Sequence, residues 1–185
     1  MNNISHAHTR KLATLGMCAA ISIVLIYFIH FPIFPMISFM EYDPGDIPIF
    51  LCSYIFGPIS GLVITVIASL IQGLTVSSSS GVIGIVMHIL ATGSYVIVSG
   101  LLMRKTKKIK RLLISATIGC LTMTFTMGLW NLLFTPFYMH IDVNQILPLM
   151  PYIILFNLIK AGLNTVIAVF LYKMLQKLLP KQYLC

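Results

Sequence analysis

The stretch Asp46–Val76, DIPIFLCSYIFGPISGLVITVIASLIQGLTV, decides the fold. Read as one kinked helix, it gives a chain with five membrane crossings; read as two helices, it gives six. Gly57-Pro58 in its middle is a strong breaker pair. Asp46 is suited to cap the first half, and Pro48 to sit in its first turn. The basic residues decide by parity, because Lys and Arg collect on the cytoplasmic side of a membrane. Arg10 and Lys11 precede the first apolar run, a basic cluster fills Arg104–Arg111, and Lys173, Lys177 and Lys181 close the chain. Only the two-helix reading puts all three groups on one side. It also puts the four acids (Glu41, Asp43, Asp46 and Asp142) on the other side, with Lys160 the one basic exception.

Working outward, the apolar runs predict helices over about 12–31, 46–56, 58–76, 82–103, 112–134 and 151–175. The expectation is an all-α integral membrane protein, a six-transmembrane-helix bundle with cytoplasmic N- and C-termini, forming a single membrane domain over residues 1–185. The second helix is short, roughly 16 Å for about 11 residues, so it must begin inside the loop, tilt or enter only partway. The first run is about 20 residues long, enough to cross the hydrocarbon core. It is longer than the apolar core of a signal peptide, and Pro32-Ile-Phe-Pro35 follows it instead of a small-residue cleavage site.

Composition agrees. Of 185 residues, 58% are hydrophobic and 9% charged, and the mean hydropathy is +0.98. A soluble domain carries about 25% charge and cannot hide so much apolar surface at this size. A soluble enzyme, a disordered tail and a coiled coil are excluded. Cys18, Cys52, Cys120 and Cys185 have no metal-site or disulfide-framework spacing and read as small hydrophobes. The net charge of +8 does not imply nucleic acid, because the charges flank apolar segments and form no stripe interleaved with aromatics. The cluster 104–111 is a topology anchor that also meets anionic lipid.

Lys160 lies about nine residues into the last helix, roughly 14 Å deep. A lysine at the centre of a lone span costs about 2.5–3.5 kcal/mol, so it must face the bundle interior or an aqueous cavity. Asn157 and Asn164 stand at i−3 and i+4 from it on the same helical face. Either this face binds a ligand, or Lys160 forms an internal ion pair with Asp46 or another loop acid folded over the pocket. Gln72, His88, Asn131 and Asn157 all fall between the midplane and the outer surface. Together they predict a polar pocket that opens outward above apolar packing; singly, Gln72, His88 or Asn131 also fits an interhelical hydrogen bond. Tyr42, Trp130, Phe137, Tyr138 and Tyr152 are placed to stack a flat ligand at the mouth, or to form the interfacial aromatic belt. Gly16 and Ala20 make a small-residue groove near the cytoplasmic end, for an internal neighbour or a partner helix.

The sequence has no GxxxxGK[ST] phosphate loop, no HExxH, no GxSxG and no acid pair within a span. No cofactor or metal is expected, and the pocket has no engine of its own. A membrane enzyme acting on lipid or isoprenoid would need clustered acids, for which Glu41, Asp43 and Asp46 are the only candidates. A scaffold or solitary channel is the remaining alternative.

Tyr42-Asp43-Pro44-Gly45-Asp46-Ile47-Pro48, Phe56-Gly57-Pro58-Ile59-Ser60-Gly61 and Phe156-Asn157-Leu158-Ile159-Lys160 resemble the signature of substrate-binding S components of energy-coupling factor (ECF) vitamin transporters. The likeness spans about residues 10–175. It implies a multi-pass protein of the bacterial cell membrane that captures a water-soluble vitamin or precursor outside and releases it inward when docked on a module of two ATPases and a coupling membrane subunit. Taken together with the polar and aromatic residues of the outer half, the expected substrate contacts are Lys160, Asn157, Asn131, His88, Gln72, Asn164, Tyr42, Asp46 and Tyr138, and docking is expected through Gly16, Ala20 and Ala13. The family usually has two alanines where this chain has Gly16 and Ala20. Asn131, Asn157 and Lys160 match ligand-contacting positions of the riboflavin type. That type often carries a lysine in the third helix, where this chain has Ser69 and Gln72. Gln72–Ser77 and the serines after it are closer to small-ring members. The expected substrate is a hydroxymethylpyrimidine- or pyridoxine-like vitamin, with riboflavin the alternative.

Overall fold

The computed structural model describes residues 2–77, 81–104 and 108–178, with side chains from residue 8 to residue 177. Ser78–Ser80, Lys105, Lys107, Lys181 and Cys185, used in the sequence reading, lie outside the described residues. Among the described residues seven α-helices carry the fold: α1 Asn2–Phe28, α2 Asp46–Phe56, α3 Pro58–Leu74, α4 Gly81–Met103, α5 Ile109–Met139, α6 Val143–Ile146 and α7 Met150–Leu178.

Asp46–Val76 is two helices. Gly57 separates them at φ +92°, a left-handed conformation suited to glycine, and its N–H donates to the Ser53 carbonyl at 3.0 Å. Pro58 then starts α3, where a missing N–H costs nothing. The start of α2 differs from expectation. Gly45 occupies the capping position, and Asp46 is the first helical residue with its carboxylate turned into the protein. The Asp43 carboxylate accepts the Gly45 N–H instead, at 3.0 Å.

Helix ends also shift where the hydrophobic run and the backbone disagree. α1 stops at Phe28, ahead of Pro32, not at 31. α3 stops at Leu74, not at 76. α5 begins at Ile109 and runs through Pro136 to Met139, where 112–134 was expected. Pro136 lies in the last turn, and His140 ends the helix in the left-handed conformation, its N–H returned to the Pro136 carbonyl. α7 spans Met150–Leu178 against an expected 151–175. Between α1 and α2 an antiparallel pair, β1 (Phe31–Pro32) and β2 (Glu41–Tyr42), places Phe31 opposite Tyr42; no all-α reading foresaw it.

Among the described residues, four helical stretches are long and apolar enough to cross a membrane: His8–Phe28, Gly81–Met103, Ile109–Met139 and Val143–Lys177. α2 and α3, of 11 and 17 residues, are shorter. α2 packs against α1, α3, α4 and α7, and eight of its residues are buried, so it is a core element rather than a peripheral one.

Polarity is inverted relative to a soluble protein. Phe28, Ile59 and Phe137 leave 76, 78 and 82% of their surface exposed, while Ser22, Ser53, Thr65, Ser99 and Asn164 are fully buried. Ser22, Ser53 and Thr65 donate to backbone carbonyls, as Ser53 does to that of Val96 at 3.1 Å, while Ser99 Oγ has no partner among the described residues. Close approach of α4 to the α2–α3 corner needs Gly100, where a Cβ would lie 2.6 Å from Ser53 Oγ and 2.9 Å from Pro58 Cα. Further along α2, Phe50 stacks on Tyr95 at 3.6 Å and 12°. Tyr95 joins hydroxyls with Tyr54 and with Thr165. This buried aromatic layer closes the bundle below the region where α2 begins.

Candidate functional site

The loop between β2 and α2 is held from three sides. Ser22 of α1 donates to the Gly45 carbonyl at 2.6 Å. Asn164 of α7 donates to the Asp43 carbonyl and accepts from the Tyr42 hydroxyl, both at 3.0 Å. Lys160 of α7 reaches the Asp43 carboxylate at 2.7 Å. The Tyr42 phenol, outside the spans, has its pKa raised above the ordinary tyrosine value, by burial first and then by the neighbouring Asp43 carboxylate. It therefore stays a hydrogen-bond donor. The alternative reading of Lys160, an ion pair with a loop acid, is present, with Asp43 rather than Asp46 as the acid.

Beside this loop lies a cavity of about 330 Å³, walled by the 38–43 segment and by α3, α4, α5 and α7. Of the nine residues expected to touch substrate, Lys160, Asn157, His88, Gln72 and Tyr138 line it. The other four sit elsewhere. Asp46 is buried behind His88, which it meets at 3.2 Å, and Thr92 donates to the same carboxylate oxygen at 2.8 Å. Asn164 and Tyr42 serve the loop. Asn131 donates to the Met127 carbonyl and accepts from Thr135, and it faces a side chamber of about 30 Å³. That chamber shares Phe39, Gly84, Met87 and Tyr138 with the main cavity and is also lined by Trp130, which stacks on Phe134 at 4.2 Å.

The sequence reading missed Ser38–Met40, Ser69 and four further methionines of the wall, Met87, Met123, Met127 and Met139. Met123 and Met127 stand four apart on α5, and Ser69 lies one turn from Gln72 on α3. Helical spacing alone does not separate such residues from packing positions. The charged side chains on the wall are two acids, Glu41 and Asp43, and two bases, Lys160 and His88 when protonated. Such a lining suits a polar ligand of little net charge. The Gln72 carbonyl oxygen is buried without a hydrogen-bond partner among the described residues, so a ligand N–H has an acceptor ready there.

The profile of the family "ECF transporter, substrate-specific component" matches residues 10–172. The chain belongs to that family. As an S component it is a multi-pass protein of the bacterial plasma membrane and a part of a transporter rather than an enzyme. The S component is 27% identical over 188 residues to the riboflavin transporter RibU of Streptococcus thermophilus, covering 97% of this chain and 89% of that one. It is 27% identical to the RibU of Staphylococcus aureus, covering 93% of each. A solved structure described as the S component of a bacterial ECF transporter superposes with a TM-score of 0.80 at 26% identity, covering 92% of this chain and 98% of that one.

Proposed function

We propose that the chain is a riboflavin-binding S component that captures the vitamin from outside and releases it inward when docked on an ECF module of two ATPases and a coupling membrane subunit. The carrying observation is the polar cavity of about 330 Å³ in a chain whose curated relatives are named riboflavin transporters. The size is within the range of small-molecule sites, about 300–1,000 Å³. A one-ring vitamin would leave much of this volume unfilled, and unfilled volume forfeits contacts. The pyrimidine- or pyridine-like expectation, built on Gln72 and the serines, therefore gives way to its alternative. A flat three-ring system suits the methionine wall, because thioethers make favourable contacts with aromatic rings. Lys160, Asn157, Gln72 and Tyr138 provide the polar contacts, with Gln72 accepting from the ring imide and Lys160 donating to an oxygen, while His88 stands on the wall with both ring nitrogens engaged by Ser69 and Asp46. Asn131 and Trp130 border the side chamber beside them, and Asp46, Asn164 and Tyr42 act through the loop rather than by touching substrate.

The same reading includes six crossings with cytoplasmic termini, supported by the break at Gly57 and by the one-sided basic residues. It also includes docking through Ala13, Gly16 and Ala20. All three are exposed on α1, and a Cβ at Gly16 would meet nothing within 4 Å, so no helix among the described residues fills that groove.

The test is titration of riboflavin into purified full-length chain in detergent or nanodiscs, following quenching of flavin fluorescence. Stoichiometric quenching is expected, with no competition from hydroxymethylpyrimidine or pyridoxine. Absence of quenching together with a thermal shift by either small-ring vitamin would reverse the choice of substrate.

A further inference from the structure

Beside the cavity, Ser69, His88, Asp46 and Thr92 form a polar chain across α3, α4 and α2, and its protons can be counted. Ser69 Oγ lies 2.6 Å from the Thr65 carbonyl oxygen, which only accepts, so the hydroxyl proton is committed there. The same Oγ lies 2.8 Å from His88 Nδ1, so Nδ1 must be the donor in that contact. On the other side of the ring, Nε2 meets Asp46 Oδ1 at 3.2 Å, an oxygen that already accepts from Thr92 at 2.8 Å. A neutral ring protonated on Nδ1 would turn its Nε2 lone pair onto an ionised carboxylate that is 0% exposed. A proton therefore lies between Nε2 and Oδ1, and the pair holds one more than a neutral histidine and an ionised aspartate would. Asp46 Oδ2 has no hydrogen-bond partner among the described residues, so no second donor there offsets the loss of that proton.

We propose that His88 is a positioning residue whose proton fastens the start of α2, and with it the loop over the cavity, so that ligand affinity falls as that proton leaves. Asp46 directly follows the 41–45 loop, and His88 and Ser69 themselves stand on the cavity wall. When the proton leaves, Ser69 must give up the Thr65 carbonyl to donate to Nδ1. The link to Asp46 is then a hydrogen bond from a neutral donor to the carboxylate, without the added attraction of a second charge. The other ionisable groups around the ring are Glu41 and Asp43 on the loop, Lys160 on α7 and Tyr138 on α5; α3 offers only the uncharged Ser69 and Gln72. Lys160 is held by Asp43, which leaves Asp46 as the charge that answers His88. Histidine is the side chain that ordinarily changes charge between about pH 5 and 8.

The proposal rests on the riboflavin reading only for its binding readout. In nanodiscs, riboflavin Kd is measured at pH 6 and pH 8.5 for the full chain and for His88→Gln. The full chain should bind about tenfold more weakly at the higher pH, and His88→Gln should show no such slope. Ring ¹⁵N NMR of sequentially assigned histidines in the ligand-free chain supplies an arm that needs neither vitamin nor variant. At pH 6 His88 Nδ1 should carry a proton, and on titration that proton should leave Nδ1. An unprotonated Nδ1 at pH 6, or equal pH slopes in the full chain and His88→Gln, overturns the proposal. Failure of riboflavin to bind at either pH sinks the substrate reading, and the NMR arm still decides this one.

Discussion

At the scale of single residues, Lys160 and Asp43 are one unit. The carboxylate is 1% exposed and the ammonium 2.7 Å away, so removing one partner strands the other in a dry place. Lys160→Met should destabilise the bundle by about 3–5 kcal/mol as well as weaken riboflavin binding by tenfold or more. Lys160→Met combined with Asp43→Asn should recover most of the melting temperature while binding stays weak. A double-mutant cycle on thermal unfolding, run beside fluorescence titrations, separates the two effects; a loss in the double variant equal to the sum of the two single-variant losses would show that the charges are not coupled. This is also where the sequence was most and least informative. A lysine in a span flanked by asparagines at helical spacing announces a polar interior. The acid it pairs with depends on how the loop folds back, and that is a tertiary fact with no local signature. For the same reason Asp46, Asn164 and Tyr42 were grouped with the substrate contacts although they brace the loop.

At the scale of elements, the division of Asp46–Val76 was legible because Gly57 and Pro58 are local chemistry, one permitting a positive φ and the other forbidding helix continuation. The reach of α5 past Pro136 was not, because a proline in a last turn breaks little and the hydrophobic run ends sooner than the backbone does. The two-residue strands were invisible too, being fixed by the return of the chain from α1 to α2 and not by alternation. Gly100 is the element-scale weak point. A methyl group there meets the Pro58 backbone at 2.9 Å, and backbone does not move aside cheaply. Gly100→Ala should cost about 1–3 kcal/mol, read as a lower midpoint in thermal unfolding in mild detergent. An unchanged midpoint would mean that α4 slides away from the α2–α3 corner without loss.

At the scale of the whole molecule, the proposed function gives the apolar exterior and polar interior two separate jobs, capture within the bundle and association through its flank. The groove of Ala13, Gly16 and Ala20 is separated from the loop contact of Ser22 by face and not by distance: Ala20 stands two residues from Ser22 but is exposed, while Ser22 is fully buried. Gly16→Leu with Ala20→Leu should therefore leave riboflavin affinity within about twofold, while abolishing co-purification with the ATPase module and ATP-dependent uptake into vesicles. Loss of affinity in that variant would tie the groove to the cavity and remove it as an independent docking face. One further property belongs to the molecule as a whole. The chain has a single Trp, Trp130, stacked on Phe134 beside the side chamber. Its indole is thus a built-in optical reporter at the edge of the cavity: a bound chromophore absorbing near its emission band would drain that emission by resonance transfer, so occupancy of the purified chain can be followed without attaching a dye.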